Sequence, residues 1–375
     1  MYKTIQENQA KIYVPEQKKI SKKLPVFYNP VMKINRDIST LILNSIDKNQ
    51  MQIALPLAAS GVRGIRFLKE LKKEKIKNIS FNDYSKESIE LIKKNLLLNN
   101  LKEKIKLFNK DANLFLLESK GFDYIDIDPF GTPNNFLFSS IQRLSRNGIL
   151  AVTATDTSAL TGTYTDASKR KYFSKSKKTE LMHETGLRIL IRKVQLIGAE
   201  NEKALRPIFS YSKDHYYRIF VRCRKGKKRV DKILKEHGFI LYCDKCLYRT
   251  VSYDIFNDMI CSNCKNELDY IGPLWTGGLY SRQLVKNMEK NCKKNNKKLI
   301  DLIQTIKNES EIDTVGFYDI HEISKKYKLE KIPKIDGLIK KIEDSGKRAT
   351  RTHFSPTGIK VRININELIS HIRTF

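Results

Sequence analysis

A strand-like stretch that ends in Asp128, Pro129 and Phe130 carries side chains suited to chemistry on a nucleobase. Residues 124–127 favour a strand, and Pro129 ends it because proline donates no backbone N–H. The exocyclic amine of a base is a weak nucleophile, which needs acceptors for its N–H bonds and a flat surface for stacking. The Asp128 carboxylate, the Pro129 carbonyl and the Phe130 ring would supply them. The stretch favours a base-methylating site, although an edge strand ending in a turn would show the same Asp-Pro pair.

Strand-like and helix-like segments alternate around this stretch. We predict strands at 51–57, 79–84, 105–108, 122–127 and 148–155, with helices at 62–73 and 85–99. Such alternation indicates an α/β fold with a doubly wound parallel sheet, whose ligands bind at the carboxyl ends of the strands. Residues 1–30 read as an arm followed by a loop. A helix is expected at about 180–196 and a late strand at 216–222.

The loops after the first strands contain residues suited to a nucleotide-like cofactor. The small residues 58–61 would let the backbone approach a ligand. Asp83 follows about 20 residues later, where such folds place an acid on ribose hydroxyls, although it could simply cap the next helix. Asp111 follows a third strand and suits an adenine amino group. Arg63 and Arg66 lie on the first helix; one could reach back to a carboxylate, or both could lie on the surface.

The charge balance indicates a polyanionic partner. The chain has 71 basic and 41 acidic residues, a formal net charge of +30. A basic segment at 169–178 is interleaved with aromatic residues, as in nucleic-acid contacts, and a run at 346–354 looks like an RNA-contacting module. A solvated lysine-rich loop is the alternative for the first, and an ordinary packed histidine is the alternative for His353.

The chain shows no sign of a membrane protein or a secreted one. No apolar run is long enough to span a bilayer, and the lysine-rich N-terminus lacks the apolar core of a signal peptide. Cysteine pairs of the CxxC type favour metal binding over disulfides. We therefore expect a cytoplasmic protein, with no obligate protein partner evident.

Four cysteines have the spacing of a structural zinc site. They are Cys243, Cys246, Cys261 and Cys264, two CxxC pairs with fourteen residues between them. Each pair can place two thiolates on one metal, and two pairs close a tetrahedral site. A redox dithiol or an iron–sulfur cluster stays open as an alternative.

The motifs taken together resemble the archaeal and eukaryotic tRNA guanosine-26 N2-dimethyltransferases, which use S-adenosyl-L-methionine. The resemblance covers most of the chain. Its motifs are residues 26–30, 35–37, 59–66, 82–83, 126–131, 161–164, 214–216, 272–275 and 351–360, with the four cysteines.

The resemblance implies a reaction and a division of the chain. Two methyl groups would pass from S-adenosyl-L-methionine to N2 of guanosine 26 in tRNA, giving N2,N2-dimethylguanosine. A Rossmann-like class I methyltransferase domain would span residues 1–230, a zinc-ribbon-like region with the four cysteines 231–275, and a smaller α/β, tRNA-binding domain 276–375.

The resemblance also implies roles for individual residues. Asp128 and Pro129 would receive the guanine amino group, with the rings of Phe27 and Phe130 on either side of the base. The cofactor would be held by Arg36, Arg66, Asp83, Asp111 and Ala112.

Two other functions remain open from the sequence. An Asp-Pro-aromatic motif suits any exocyclic amine, so the substrate could be adenine N6, in DNA or in ribosomal RNA. The basic surface and the cysteines would also suit a catalytically silent RNA-binding protein.

Overall fold

The structure is a computed structural model that describes residues 2–16, 26–255, 259–292 and 296–375. The elements up to residue 225 are, in order, β1 (Tyr2–Glu7), β2 (Ala10–Pro15), a 3-10 turn (Pro30–Met32), α1 (Lys33–Ser45), β3 (Met51–Leu55), α2 (Val62–Glu70), β4 (Ile76–Asn82), α3 (Lys86–Leu98), β5 (Ile105–Phe108), α4 (Ala112–Leu117), β6 (Phe122–Ile127), α5 (Asn134–Arg143), β7 (Leu144–Ala154), α6 (Thr157–Leu160), α7 (Thr165–Tyr172), α8 (Met182–Glu200), β8 (Lys203–Lys213) and β9 (Tyr216–Lys225).

The strands among the remaining elements form two further small sheets. They are α9 (Lys227–Leu234), β10 (His237–Tyr242), β11 (Arg249–Ser252), β12 (Asp269–Trp275), α10 (Arg282–Asn291), α11 (Lys297–Ser310), β13 (Tyr318–Asp319), α12 (Ile320–Tyr327), α13 (Ile335–Asp344), β14 (Ala349–Arg351), β15 (Gly358–Val361) and α14 (Ile365–Arg373). The strand orders are β11-β10-β12 and β13-β15-β14.

A seven-stranded sheet forms the centre of the molecule, in the order β5-β4-β3-β6-β7-β9-β8. The five strands from β3 to β7 pair in parallel, which confirms the predicted doubly wound sheet. β9, the predicted late strand, pairs antiparallel with β7. Helices cover both faces, so the core strands are buried on both sides.

Local signals explain why the predicted helices form where they do. Ser85 accepts a hydrogen bond from the backbone N–H of Ser88 and caps α3. α2 begins after Gly61, whose φ of +76° is readily adopted only by glycine. Gly64 lets α2 pack closely on β4, because a Cβ there would lie 2.2 Å from the Phe81 ring. These helices therefore bring the loops after β3 and β4 together.

The N-terminal residues differ from the prediction. Residues 2–15 form a hairpin of β1 and β2, not an arm, while residues 17–25 of the predicted arm and loop lie outside the described residues. β2 is held by α3: the side-chain oxygens of Asn95 and Asn99 accept from the backbone N–H groups of Tyr13 and Lys11, at 2.6 and 3.0 Å. Because these side chains lie more than eighty residues away in the sequence, the residues around β2 do not by themselves predict the strand.

β8 was also missed. It pairs antiparallel with β9, and its pairing shifts register between Pro207 and Phe209. The proline and the irregular register interrupt the alternation of apolar and polar residues on which the prediction relied. The expected helix before it is present as α8.

The central sheet and the two small sheets after it follow one another along the chain, within residues 51–225, 237–275 and 318–361. Buried charges join the first and the last of these regions: Glu184 on α8 lies 3.0 Å from the Lys360 ammonium of β15 and accepts from the Gly316 backbone N–H at 2.9 Å. The predicted domain boundaries stay a prediction. Among the described residues no helix is long and apolar enough to cross a membrane.

Candidate active site

An open cleft of about 840 Å³ lies at the carboxyl ends of β3, β4, β6 and β7. This is the edge at which doubly wound sheets bind ligands. The cleft brings together most of the residues singled out in the sequence. Its lining includes Phe27, Arg36, Asp83, Asp128, Pro129 and Phe130.

Asp128 stands directly after β6 and is paired with Arg63. The Arg63 Nη2 group donates to Asp128 Oδ2. Arg63 is itself held by Asn35 Oδ1 and Ser39 Oγ, which accept from its Nη1 at 3.0 and 2.9 Å. The pair fixes one carboxylate oxygen of Asp128 and shows that Arg63 is not a surface residue.

A fully buried ion pair lies beneath Asp128. Arg218 Nη2 donates to Asp126 Oδ2 at 2.6 Å, and the Tyr124 hydroxyl donates to the same oxygen at 2.6 Å. Burial alone would raise the pKa of Asp126, but the charges of Arg218 and Arg63 hold it below its usual value. Asp126 therefore carries a negative charge that compensates both guanidinium groups. Arg218 was not predicted, because it comes from β9, ninety-two residues further along the chain.

The turn after Asp128 is fixed by the end of β7. Gly131 N donates to Thr155 Oγ1 at 2.7 Å, and Thr155 N donates to the Gly131 carbonyl at 3.0 Å. Gly131 has a φ of +80°, which glycine adopts without strain. These bonds hold Pro129 and Phe130 at the mouth of the cleft.

Phe27 and Phe130 touch each other across the cleft. Their ring centroids lie 4.2 Å apart at an interplanar angle of 79°, an edge-to-face contact. A base placed between them requires the rings to move apart. The structure thus brings the two predicted stacking residues together but holds them in contact.

Arg36 and Arg66 meet at a buried carboxylate from the N-terminal hairpin. Glu7 accepts from Arg36 Nε and Nη2 at 2.8 and 2.6 Å and from Arg66 Nη1 at 2.9 Å. The Tyr28 hydroxyl also donates to it, at 2.9 Å. Burial would raise the pKa of Glu7, but these partners lower it to about 2. The sequence analysis missed Glu7 because it expected no structure there.

Arg66 lies deeper than Arg36. It binds the carboxylates of Asp37 and Glu70, and it lines a neighbouring cavity of about 870 Å³ instead of the cleft. Arg63 and Arg66 both lie on helix α2, as expected, and both bind carboxylates. The sequence had predicted a carboxylate contact for only one of them.

Asp83 lies at the rim of the cleft, after β4. Its Oδ2 accepts from Ala59 N at 2.8 Å and its Oδ1 from Ser85 N at 3.0 Å, so it ties two loops together. Asp111 caps α4 by accepting from two backbone N–H groups, and Ala112 is the first residue of that helix. Asp111 and Ala112 do not line the cleft in this structure.

The four predicted cysteines converge. Their Sγ atoms all lie within 4.8 Å of one another. A tetrahedron with metal–sulfur bonds of about 2.3 Å has sulfur–sulfur edges of about 3.8 Å. The cluster lies on the turn after β10 and on the loop before β12, and Tyr327 of α12 donates to the Cys246 carbonyl at 2.8 Å.

Parts of the two basic runs have structural partners. Lys177 lies 2.7 Å from both Asp244 and Asp269, and Lys175 also pairs with Asp269, so these lysines bind the cysteine-bearing region. Tyr172 is buried, and its hydroxyl donates to Asp156 at 2.8 Å. Residues 169–178 are therefore not a solvated loop, and not all of them are free to contact nucleic acid.

His353 is a packed histidine, as the simpler interpretation expected. Its side chain is 2% exposed, and its Nδ1 lies 2.9 Å from Glu309 Oε1. Its Nε2 accepts from the Ser212 backbone N–H at 3.3 Å. His353 therefore joins the C-terminal part of the chain to the end of β8 and is not available to RNA.

The chain is similar to known proteins over nearly its whole length. A family model described as N2,N2-dimethylguanosine tRNA methyltransferase matches residues 8–373. A tRNA (guanine(26)-N(2))-dimethyltransferase of Methanosphaera stadtmanae is 39% identical, over 97% of this chain and 95% of that protein. A tRNA (guanine(26)-N(2)/guanine(27)-N(2))-dimethyltransferase of Aquifex aeolicus is 38% identical, over 97% and 94%.

A solved structure shows the same fold. Trm1 from Pyrococcus horikoshii with S-adenosyl-L-methionine has a TM-score of 0.87 at 34% identity, covering 98% of this chain and 99% of that chain. The family match, the relatives and the fold all extend over nearly the whole chain. The chain therefore belongs to the N2,N2-dimethylguanosine tRNA methyltransferase family.

Proposed function

We propose that this enzyme transfers two methyl groups from S-adenosyl-L-methionine to N2 of guanosine 26 in tRNA, and that Asp128 is the acceptor that orients the amine. The main observation in support of this role is the hydrogen bonding of Asp128. Arg63 occupies Oδ2, and no protein partner is recorded for Oδ1 among the residues that the structure describes. One carboxylate oxygen thus stays available in the cleft, beside Pro129 and Phe130.

The cleft suits the proposed cofactor. Its volume of about 840 Å³ lies within the roughly 300–1,000 Å³ of small-molecule sites. Each Asp83 oxygen accepts one backbone N–H and keeps a further lone pair for a ribose hydroxyl. Arg36 uses Nε and Nη2 for Glu7, so its Nη1 can serve a ligand carboxylate. Asp111 and Ala112 are proposed for the adenine end, and Arg66 for support of the carboxylate end.

When bound, S-adenosyl-L-methionine supplies a methyl group on a sulfonium, whose C–S bonding pair stays on sulfur as the N–C bond forms. The residues of this chain orient the nucleophile. Asp128 Oδ1 accepts one N–H of the amine, and the Pro129 carbonyl accepts the other. The amine nitrogen is then held with its lone pair directed at the methyl group, and orientation of this kind can contribute roughly 7–11 kcal/mol.

The guanine must leave its stack in the tRNA to reach Asp128, as in other base-modifying enzymes. We propose that it enters between Phe27 and Phe130, which separate from their present contact. The two rings would lose their contact with each other, and each would gain a contact with the base. These contacts would offset part of the free-energy cost of unstacking the base.

We propose that the cysteine cluster holds one structural Zn²⁺. Four thiolates fill a tetrahedral shell, so no position is left for substrate. The cluster adjoins β10 and β12; Lys175 and Lys177, in the segment after α7, pair with Asp269 of β12, and Lys177 also pairs with Asp244 between the first two cysteines. Its role would be to keep this region folded beside the methyltransferase sheet.

The tRNA partner is consistent with the net charge of +30. Adenine N6 methylation stays the competitor at the level of chemistry, because Asp128 and Pro129 could accept from any exocyclic amine. We propose guanosine because the family forms N2,N2-dimethylguanosine. A cytoplasmic location stays a prediction.

The proposal is tested by Asp128→Asn. The amide keeps the shape of the side chain but replaces a charged acceptor, so we expect turnover with a guanosine-26 transcript to fall by about 10²–10⁴-fold. Binding of S-adenosyl-L-methionine, measured by calorimetry, should stay within about threefold of the wild-type value, since Asp128 is proposed to touch the amine. Near-normal turnover of this variant would remove Asp128 from its role.

A further inference from the structure

Arg63 links the carboxylate in the cleft to the buried network beneath it. Its Nη2 pairs with Asp128 Oδ2, and its Nε lies 3.4 Å from Asp126 Oδ1. Its Nη1 donates to Asn35 Oδ1 and Ser39 Oγ at 3.0 and 2.9 Å. The side chain is only 10% exposed, so all three nitrogen atoms of this guanidinium are engaged within the protein.

The network below Arg63 is fixed in turn. Arg218 is fully buried and donates to Asp126 at 2.6 Å and to Thr153 Oγ1 at 2.9 Å. The four charges alternate as Asp128, Arg63, Asp126 and Arg218, so they compensate one another. Rotation of the Arg63 guanidinium would break several charge-assisted hydrogen bonds at once.

This arrangement restricts how Asp128 can meet a substrate. With Oδ2 committed to Arg63, the carboxylate cannot exchange its two oxygens or turn freely. Oδ1, which Arg63 does not bind, is then the oxygen that the carboxylate presents to an N–H in the cleft. The position of that acceptor is set by Arg63 and not by Asp128 alone.

We propose that Arg63 is a positioning residue on which the second methyl transfer depends, an inference that rests on the proposed function. An unmodified amine has two N–H groups, one for Asp128 Oδ1 and one for the Pro129 carbonyl. The first transfer removes the proton that faced Oδ1, so the amine turns about its C–N bond before its remaining N–H can meet Oδ1, and the methyl group then takes the place at the Pro129 carbonyl. The orientation of the monomethylated amine then depends on Oδ1 alone.

Both transfers use the same proton path. In each, the nitrogen lone pair forms one N–C bond, one N–H proton passes to a lone pair of Asp128 Oδ1, and the bonding pair of the broken N–H bond stays on nitrogen. Asp128 releases the proton to solvent through the open cleft before the next transfer. Nothing other than a second molecule of methyl donor is consumed.

The test is the product ratio of Arg63→Gln and Arg63→Lys on a guanosine-26 transcript. N2-methyl- and N2,N2-dimethylguanosine are quantified by mass spectrometry at equal total methyl incorporation. In Arg63→Gln we expect the second transfer to slow roughly tenfold more than the first, about 1.4 kcal/mol, so that monomethylguanosine accumulates. Arg63→Lys should be intermediate, because an ammonium can pair with Asp128 but cannot bind all the other partners.

Lys48→Gln is the matched control. It removes an ion pair at the other end of β6, where Lys48 Nζ lies 2.6 Å from Asp123 Oδ1. It should leave the product ratio unchanged. Affinity for S-adenosyl-L-methionine and the melting temperature are measured for every variant, which separates loss of folding from loss of positioning.

A wild-type product ratio in Arg63→Gln would overturn the inference, and so would an equal slowing of both transfers. If Arg63→Gln does not fold, the same ratio in Arg63→Lys decides: an unchanged ratio overturns the inference. If the wild-type enzyme forms no dimethylguanosine at all, the proposed function itself fails, which is a different result.

Discussion

Glu7 holds two guanidinium groups at once, and both belong to residues that the family resemblance assigns to the cofactor. It receives two hydrogen bonds from Arg36 and one from Arg66. Its third partner, Tyr28, is adjacent to Phe27 in the chain. A single carboxylate of the hairpin therefore supports the proposed cofactor side and base side of the cleft.

The charge of Glu7 should stabilise the fold in a pH-dependent way. Its pKa in the folded protein is about 2, below the usual 4.5. The stabilisation is therefore present above about pH 4.5 and is lost as the pH falls towards 2, and it amounts to about 3 kcal/mol. The unfolding free energies of wild type and Glu7→Gln, measured by denaturant titration, should differ most above pH 5 and converge towards pH 2.

Glu90→Gln is the control for Glu7→Gln. Glu90 is exposed, and among the described residues its ion pair is with Lys93, within α3. The unfolding free energy of Glu90→Gln should differ little from that of the wild type at every pH. A Glu7 effect that stayed constant between pH 5 and pH 2.5 would contradict the assignment of this charge.

The sequence predicted functional residues whose signal is local. Asp128, Pro129 and Phe130 are adjacent in the chain, and a strand end places them together at the cleft. The sequence predicted a carboxylate contact for only one of Arg63 and Arg66 and could not identify the distant partners, because these come from β6, α1 and the hairpin. Only the folded chain brings such residues within hydrogen-bonding distance.

At the scale of elements, prediction succeeded where hydrophobic periodicity is strong. The five parallel strands and the helices α2, α3 and α8 lie close to their predicted positions. The hairpin and β8 were missed, since the first depends on side chains of α3 and the second contains Pro207. The convergence of the four cysteines in the fold was predicted from their spacing in the sequence alone.

If the cysteine cluster holds the proposed zinc, its removal should unfold the cysteine region without unfolding the central sheet. Cys261→Ser leaves three thiolates, so we expect loss of bound zinc and a lower melting temperature. Metal content is measured by mass spectrometry and stability by calorimetry. Chelation of the wild-type protein should lower its melting temperature in the same way.

Cys292→Ser is the control for that experiment. Cys292 lies at the end of α10, outside the cluster. Its replacement should leave the zinc content at one per chain. A wild-type protein that contains iron or no metal after purification would contradict the zinc assignment.

At the scale of the whole molecule, the excess of positive charge should appear in the salt dependence of tRNA binding. Arg170 lies on α7, next to Lys171, which pairs with Asp156 near the cleft; no ion pair of Arg170 is recorded in the described part of the chain. If Arg170 contacts a phosphate, Arg170→Gln should lower the slope of log affinity against log salt by about 0.7–0.9. Filter binding over a series of salt concentrations measures this slope.

Lys93→Gln is the control for Arg170→Gln, because Lys93 lies on α3 and pairs with Glu90. Its slope should equal that of the wild type. Equal slopes for all three proteins would place the phosphate contacts elsewhere, and a wild-type affinity insensitive to salt would argue against the basic surface as the tRNA-binding surface.

The most direct test of the account is methyl transfer from labelled S-adenosyl-L-methionine to two tRNA transcripts. One carries guanosine at position 26 and the other adenosine, and both carry a pyrimidine at position 27. The digested products are identified by mass spectrometry. The account predicts N2-methyl- and N2,N2-dimethylguanosine from the first transcript alone. Equal label in both transcripts, or a methylated adenosine in the second, would contradict it.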